Sequence, residues 1–106
     1  MTPKPVVPRL RASQDVEDIV QYYLDEHAVS AALGFIDALE KAYRHIGSHP
    51  ALGSPRYAHE LGLPDLRMWA LQRYPQIIFY REQPDHIDVW RVLHDRRDIP
   101  VRLREL

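Results

Sequence analysis

The 106-residue chain has no cysteine, and that absence removes several chemistries at once. Without thiols there is no disulfide staple, no thiolate nucleophile and no cysteine-based zinc site. Long apolar runs are missing too. The longest span only a few residues, against the roughly 20 that a membrane-crossing helix needs. The opening MTPKPVVPRL has no apolar core behind its lysine, so it is not read as a secretory leader. A soluble, cytoplasmic protein is expected. An excess of one charge is also lacking: 14 Lys and Arg face 15 Asp and Glu. Proteins that live by non-specific phosphate contacts are usually strongly basic, and this one is not.

What is present is ordinary globular material, 45% hydrophobic and 27% charged. That length and composition fit one domain over 1–106 with one core. The charge is unevenly spread. Residues 1–50 carry five basic and seven acidic side chains, and residues 51–90 carry four and five. The last sixteen carry five arginines (Arg91, Arg96, Arg97, Arg102, Arg104) against Asp95, Asp98 and Glu105. This C-terminal cluster reads either as a solvated tail that neutralises itself or as a contact surface.

Residues 3–8 hold Pro3, Pro5 and Pro8 around Val6 and Val7, which allows only a short strand at a sheet edge or start. From Ser13 the period changes. Val16, Ile19, Val20, Tyr23 and Leu24 recur at helical spacing, with Ser13 as expected N-cap and an end near Glu26 or His27. A second helical stripe follows: Ala32, Phe35, Ile36, Leu39, Ala42, Tyr43 and Ile46. Gly47 is its expected C-cap, and Gly34 marks an expected close crossing with the first helix. Two helices so closely joined form an antiparallel hairpin. A Gly- and Pro-rich loop over 47–65 holds a turn of helix near Tyr57–Leu61. Strand patterns follow at Leu66–Tyr74, Gln76–Glu82 and Ile87–Leu93. The order β-α-α-loop-β-β-β predicts an α+β fold, with the hairpin packed on one face of a small, mainly antiparallel sheet. The other face is expected to be only partly covered, and function is sought there.

The segment Val89-Trp90-Arg91-Val92-Leu93-His94-Asp95-Arg96-Arg97-Asp98-Ile99 resembles the closing motif of ParE-type toxins, which belong to the RelE/ParE superfamily of toxin–antitoxin systems. The Asp15-Val16-Glu17-Asp18-Ile19 run before Tyr22-Tyr23 agrees, as does the Pro50-Ala51-Leu52-Gly53 loop ahead of Arg67. The resemblance spans about residues 9–99. It implies two antiparallel helices on a sheet of about four strands. It also implies the toxin component of a type II system, inhibiting DNA gyrase rather than acting as an enzyme, and silenced by a ParD-like antitoxin. Neither cofactor, membrane nor direct nucleic-acid binding is expected. Toxicity is expected to need the residues beyond Arg97. The alternatives are a RelE-like ribosome-dependent mRNA endoribonuclease and a non-toxic antitoxin-binding module.

A nuclease would need a base, an acid and cationic clamps. His94, with Arg67, Arg91, Arg96 and Arg97 and with Glu60 or Glu82 as alternative base, is an imaginable set. RelE-like nucleases usually carry a tyrosine after the final arginine. Here Asp98-Ile99-Pro100-Val101 stands there, and no tyrosine follows Tyr80. The residues expected to meet an antitoxin or target are therefore Arg67, Trp90, Arg91, His94, Arg96, Arg97, Arg102 and Arg104. Strand alternation puts Arg91 with Val89 and Leu93, and His94 with Trp90 and Val92. An arginine in an apolar row needs a carboxylate, so Arg91 serves either a partner or an internal pair with Asp15 or Asp18. For His94 the competing role is a hydrogen bond fixing the turn into Asp95. Asp98 is expected to pair with Arg67, Arg96 or Arg97. Trp69 and Trp90 read as core or interface aromatics. The histidines show no metal spacing: His45 and His49 are four apart, but Gly47 and Pro50 are expected to break the helix between them. An open sheet edge and a helix–sheet groove would accept an antitoxin segment as strand or helix.

Overall fold

In the computed structural model, which describes residues 2–96 and Ile99, the chain forms one four-stranded sheet in the order β1-β4-β3-β2. The strands are β1 (Val6–Pro8), β2 (Leu66–Ala70), β3 (Gln76–Glu82) and β4 (Ile87–His94). β2, β3 and β4 pair antiparallel, and β1 joins β4 in parallel. The helices are α1 (Leu10–Asp25), α2 (Val29–Ser48) and the single turn α3 (Ala58–Leu61). The α+β class and the element order expected from periodicity are those observed.

Several local expectations are corrected. Ser13 is not the N-cap: α1 starts at Leu10, and the Ser13 N–H already bonds the Arg9 carbonyl at 3.0 Å. Arg9 donates its own N–H to the Val89 carbonyl of β4, so the chain passes from strand to helix with no capping side chain. Gly47 does not end α2 but lies inside it. A Cβ there would stand 2.7 Å from the Lys4 carbonyl oxygen, so the glycine admits β1 against the helix end. Gly34 makes room for the Tyr74 ring of the β2–β3 connection, not for α1. β2 is shorter than its pattern, because the chain turns after Ala70 through Arg73, which has a left-handed φ of 68°.

The main correction concerns alternation in β4. Phe79 pairs with Arg91 but Tyr80 pairs with Val89, so Trp90 is an extra residue in a β-bulge. Past the bulge the faces exchange. Val89 and Val92 face the helices with Ile78 and Tyr80, whereas Trp90 and Leu93 lie on the far side with Ile77 and Phe79. Val89 therefore does not share a face with Leu93, nor Trp90 with Val92.

The helix-side core joins Phe35, Leu39, Ala42 and Ile46 of α2 to the sheet. Each such apolar side chain contributes about 1.5–3 kcal/mol through burial. The far face is not open as expected. Ala58, Leu66 and Ile99, with partly buried Tyr57, Leu61 and Leu63, form a second apolar cluster over it. The sheet edges are also less open than expected. Ser54 bridges the outer edge of β2 at Met68, and Pro8 of β1 has no N–H to offer on the other side.

Candidate functional site

The site grows from the bulge in β4. There Arg91 is 3% exposed, yet it carries a charge that burial must not leave unmet. Asp15 on α1 meets it, accepting from Nε at 2.7 Å and Nη2 at 2.8 Å. The same carboxylate accepts the Val92 N–H at 3.0 Å, a backbone donor just past the bulged residue. This knot ties α1 to β4 with charge-assisted bonds, a fork geometry that arginine supplies and lysine does not. Of the two roles open to Arg91, the internal pair is the one present. Close by, burial pushes the Tyr43 hydroxyl up to about 12, and the negative Asp15 adds to the effect. The Tyr43 hydroxyl is buried without a hydrogen-bond partner among the described residues.

Beside the knot, α1 and the ends of β3 and β4 enclose a cleft of about 770 Å³. Ile19, Tyr22, Tyr23 and Pro75 give it apolar walls; Arg11, Gln14, Asp18 and His94 give it polar ones. It is also lined by Gln76, which is 5% exposed and whose Oε1 has no hydrogen-bond partner among the described residues. The helix wall is under-packed: Ala12 alone among α1 residues is fully buried, and Tyr22 is 60% exposed. Of the cleft residues, only Arg91 and His94 were singled out from sequence as contacts. The unused signal was the width of the α1 apolar stripe, which exceeds what the sheet covers.

The remaining expected contact residues do not gather here. His94 lines the cleft, and its Nδ1 accepts the Arg96 N–H at 3.0 Å, the turn-fixing role. Arg96 is exposed just beyond. Arg67 sits on β2, two strands from Arg91, and donates to the Gly53 carbonyl at 2.7 Å. The neighbouring Tyr80 hydroxyl donates to the Pro50 carbonyl at 2.7 Å; burial raises its pKa while Gly53 and Arg67 oppose the rise. Trp90 belongs to the far face. It is 7% exposed, lies between the guanidinium groups of Arg9 (4.5 Å) and Arg81 (5.5 Å), and donates to Asp88 at 3.0 Å. Arg97, Asp98, Arg102 and Arg104 lie outside the described residues.

The family model for the ParE toxin of the type II toxin–antitoxin system parDE matches residues 6–99. The chain belongs to the ParE toxin family. A solved chain of the chromosomal ParDE TA system from P. aeruginosa superposes with a TM-score of 0.70 at 18% identity. The match covers 86% of this chain and 95% of that one. At that identity the likeness is one of fold. Among curated proteins none matches significantly.

For a ParE-family chain, the histidine pattern needs one correction. Gly47 does not break α2, which runs to Ser48, so His45 and His49 do stand one turn apart on one face. Their rings stack at 5.2 Å, and His45 stacks on Trp69 at 4.3 Å, as a face of aromatic rings. Among the described residues no three His, Asp or Glu side chains gather as a metal-binding group. No described helix is long and apolar enough to cross a membrane.

Proposed function

We propose that this ParE-family chain is a toxin that acts by binding protein. It inhibits DNA gyrase and is neutralised by a ParD-like antitoxin that docks in the cleft between α1 and the β3–β4 end. One observation carries the choice over RNA cleavage: the cationic groups a nuclease would need do not converge. Arg91 is committed to Asp15, and Arg67 to a loop carbonyl two strands away. His94 lines the cleft with Arg91, whose guanidinium is held by the Asp15 carboxylate. Phosphoryl-transfer chemistry on RNA needs acid, base and cations around one point.

The cleft suits a polypeptide. It is large, walled by aromatics and aliphatics, and rimmed with polar groups, the composition of a groove that accepts an amphipathic segment. An antitoxin tail that folds on binding would cover the half-exposed stripe of α1. His94 and Arg96 stand at the cleft's end, where acidic antitoxin residues would meet them. Arg97, Arg102 and Arg104 are further contacts we propose.

Expression in a bacterial host tests the target. Gyrase poisoning predicts broken chromosomes and an SOS response with intact transcripts, relieved by co-expressed antitoxin. Transcripts cut at codons with intact chromosomes would replace this reading with ribonuclease action. Normal growth with antitoxin binding retained would leave a binding module only.

A further inference from the structure

Gln76 is a costly residue for the fold to bury. It opens β3 opposite His94, is 5% exposed, and makes no side-chain hydrogen bond among the described residues. A buried amide oxygen without a partner costs a desolvation penalty that a leucine of similar size would avoid. Its backbone does what the sheet requires, accepting the Leu71 N–H at 3.0 Å, so strand pairing does not explain the side chain. Gln76 nevertheless forms part of the wall of the α1–β4 cleft.

The electrostatics of that cleft narrow what could satisfy it. Asp15 and Arg91 neutralise each other, and Arg11 and Asp18 add one charge of each sign. A balanced wall offers little to a polyanion such as a nucleic acid. A primary carboxamide both donates and accepts, the same pair of groups that a main-chain peptide unit presents. Main-chain amides inside a helix are already paired, whereas those of an extended stretch or of a helix's first turn are free.

We propose that Gln76 is the residue by which the cleft recognises a polypeptide. Its carboxamide bonds a main-chain amide of the docked partner where that partner is extended or begins a helix. The inference rests on the reading that the cleft is the antitoxin dock, and it adds a specificity-determining residue and a backbone conformation for the partner.

The probe is a set of overlapping 15-residue peptides covering the product of the reading frame that adjoins this gene, followed by fluorescence anisotropy on the full chain. The expected result is a peptide whose affinity falls about tenfold with Gln76→Leu, while the melting temperature of that variant is no lower than wild type. N-methylation at one peptide position should cause a similar loss with the wild-type chain and no further loss with Gln76→Leu, the coupling of a direct contact. The loss on methylation is read with the wild-type chain, so that arm does not depend on how the variant folds. A peptide weakened by Tyr22→Ala but bound equally by wild type and Gln76→Leu would overturn the role of Gln76 and keep the dock. If no peptide binds the wild-type chain, the dock itself fails and the inference fails with it.

Discussion

Asp15 accepts three hydrogen bonds from one short stretch of β4, two from the Arg91 guanidinium and one from the Val92 N–H. Replacing Asp15 with alanine takes the bidentate carboxylate from a buried guanidinium, and the expected loss is about 3 kcal/mol in urea unfolding. Tyr43 makes the opposite prediction. Its hydroxyl is buried without a partner, so Tyr43→Phe should leave stability at pH 7 unchanged or slightly higher. At alkaline pH the sign follows from the raised pKa. The unfolded chain loses the phenol proton near the ordinary value of 10.0, the folded chain only near about 12. The folded state therefore holds more protons between those values, and stability falls as pH rises through that window. Thermal melts of Tyr43→Phe should show a shallower alkaline fall than wild type; equal slopes would contradict it. The need of Arg91 for a carboxylate was legible in the sequence, because a charge in an apolar strand must find one. The idle carboxamide of Gln76 was not, since glutamine at a strand start looks solvated until its burial is seen.

At the scale of elements, the two glycines of α2 separate by what stands opposite them. Gly47 faces the backbone at Lys4, two residues ahead of β1, whereas Gly34 faces the far end of the Tyr74 side chain. In a helix, alanine for glycine gains about 1 kcal/mol of propensity. Gly34→Ala should come out near neutral, because the tyrosine ring can swing aside. Gly47→Ala should lose about 1–2 kcal/mol, because the Lys4 backbone, which donates its N–H to the Gly47 carbonyl at 3.0 Å, cannot yield so easily. Denaturant midpoints of the two variants test the contrast, and a more stable Gly47→Ala would contradict it. Periodicity gave both long helices, β3 and β4 closely, because their apolar repeats are long. It missed the bulge at Trp90, since one inserted residue leaves the composition of a strand untouched while exchanging its faces. It also read Gly47 as a stop, because a glycine that ends a helix and one that admits a neighbour look alike in sequence.

For the whole molecule, the balance of 14 basic and 15 acidic residues agrees with a chain that works on another protein. Several cations that could have formed a phosphate site are paired with the chain's own carboxylates: Lys4 with Glu82, Arg9 with Asp88, Arg81 with Asp65 and Arg91 with Asp15. The α+β architecture and the family were readable from element order and the motif running from Val89 to Ile99. The cleft was not, because it is assembled from α1 and the ends of two strands more than 50 residues away in the chain. The far face, sought as the functional surface, is instead covered by the chain's own α3 region and Ile99. The most direct measurement is a supercoiling assay in which the purified full chain is titrated onto purified DNA gyrase and relaxed plasmid. The expected result is dose-dependent loss of supercoiling with gyrase-linked cleaved DNA, reversed by the cognate antitoxin. Supercoiling at full rate at every dose, with mRNA cleaved when the same preparation is added to an in vitro translation reaction, would contradict it.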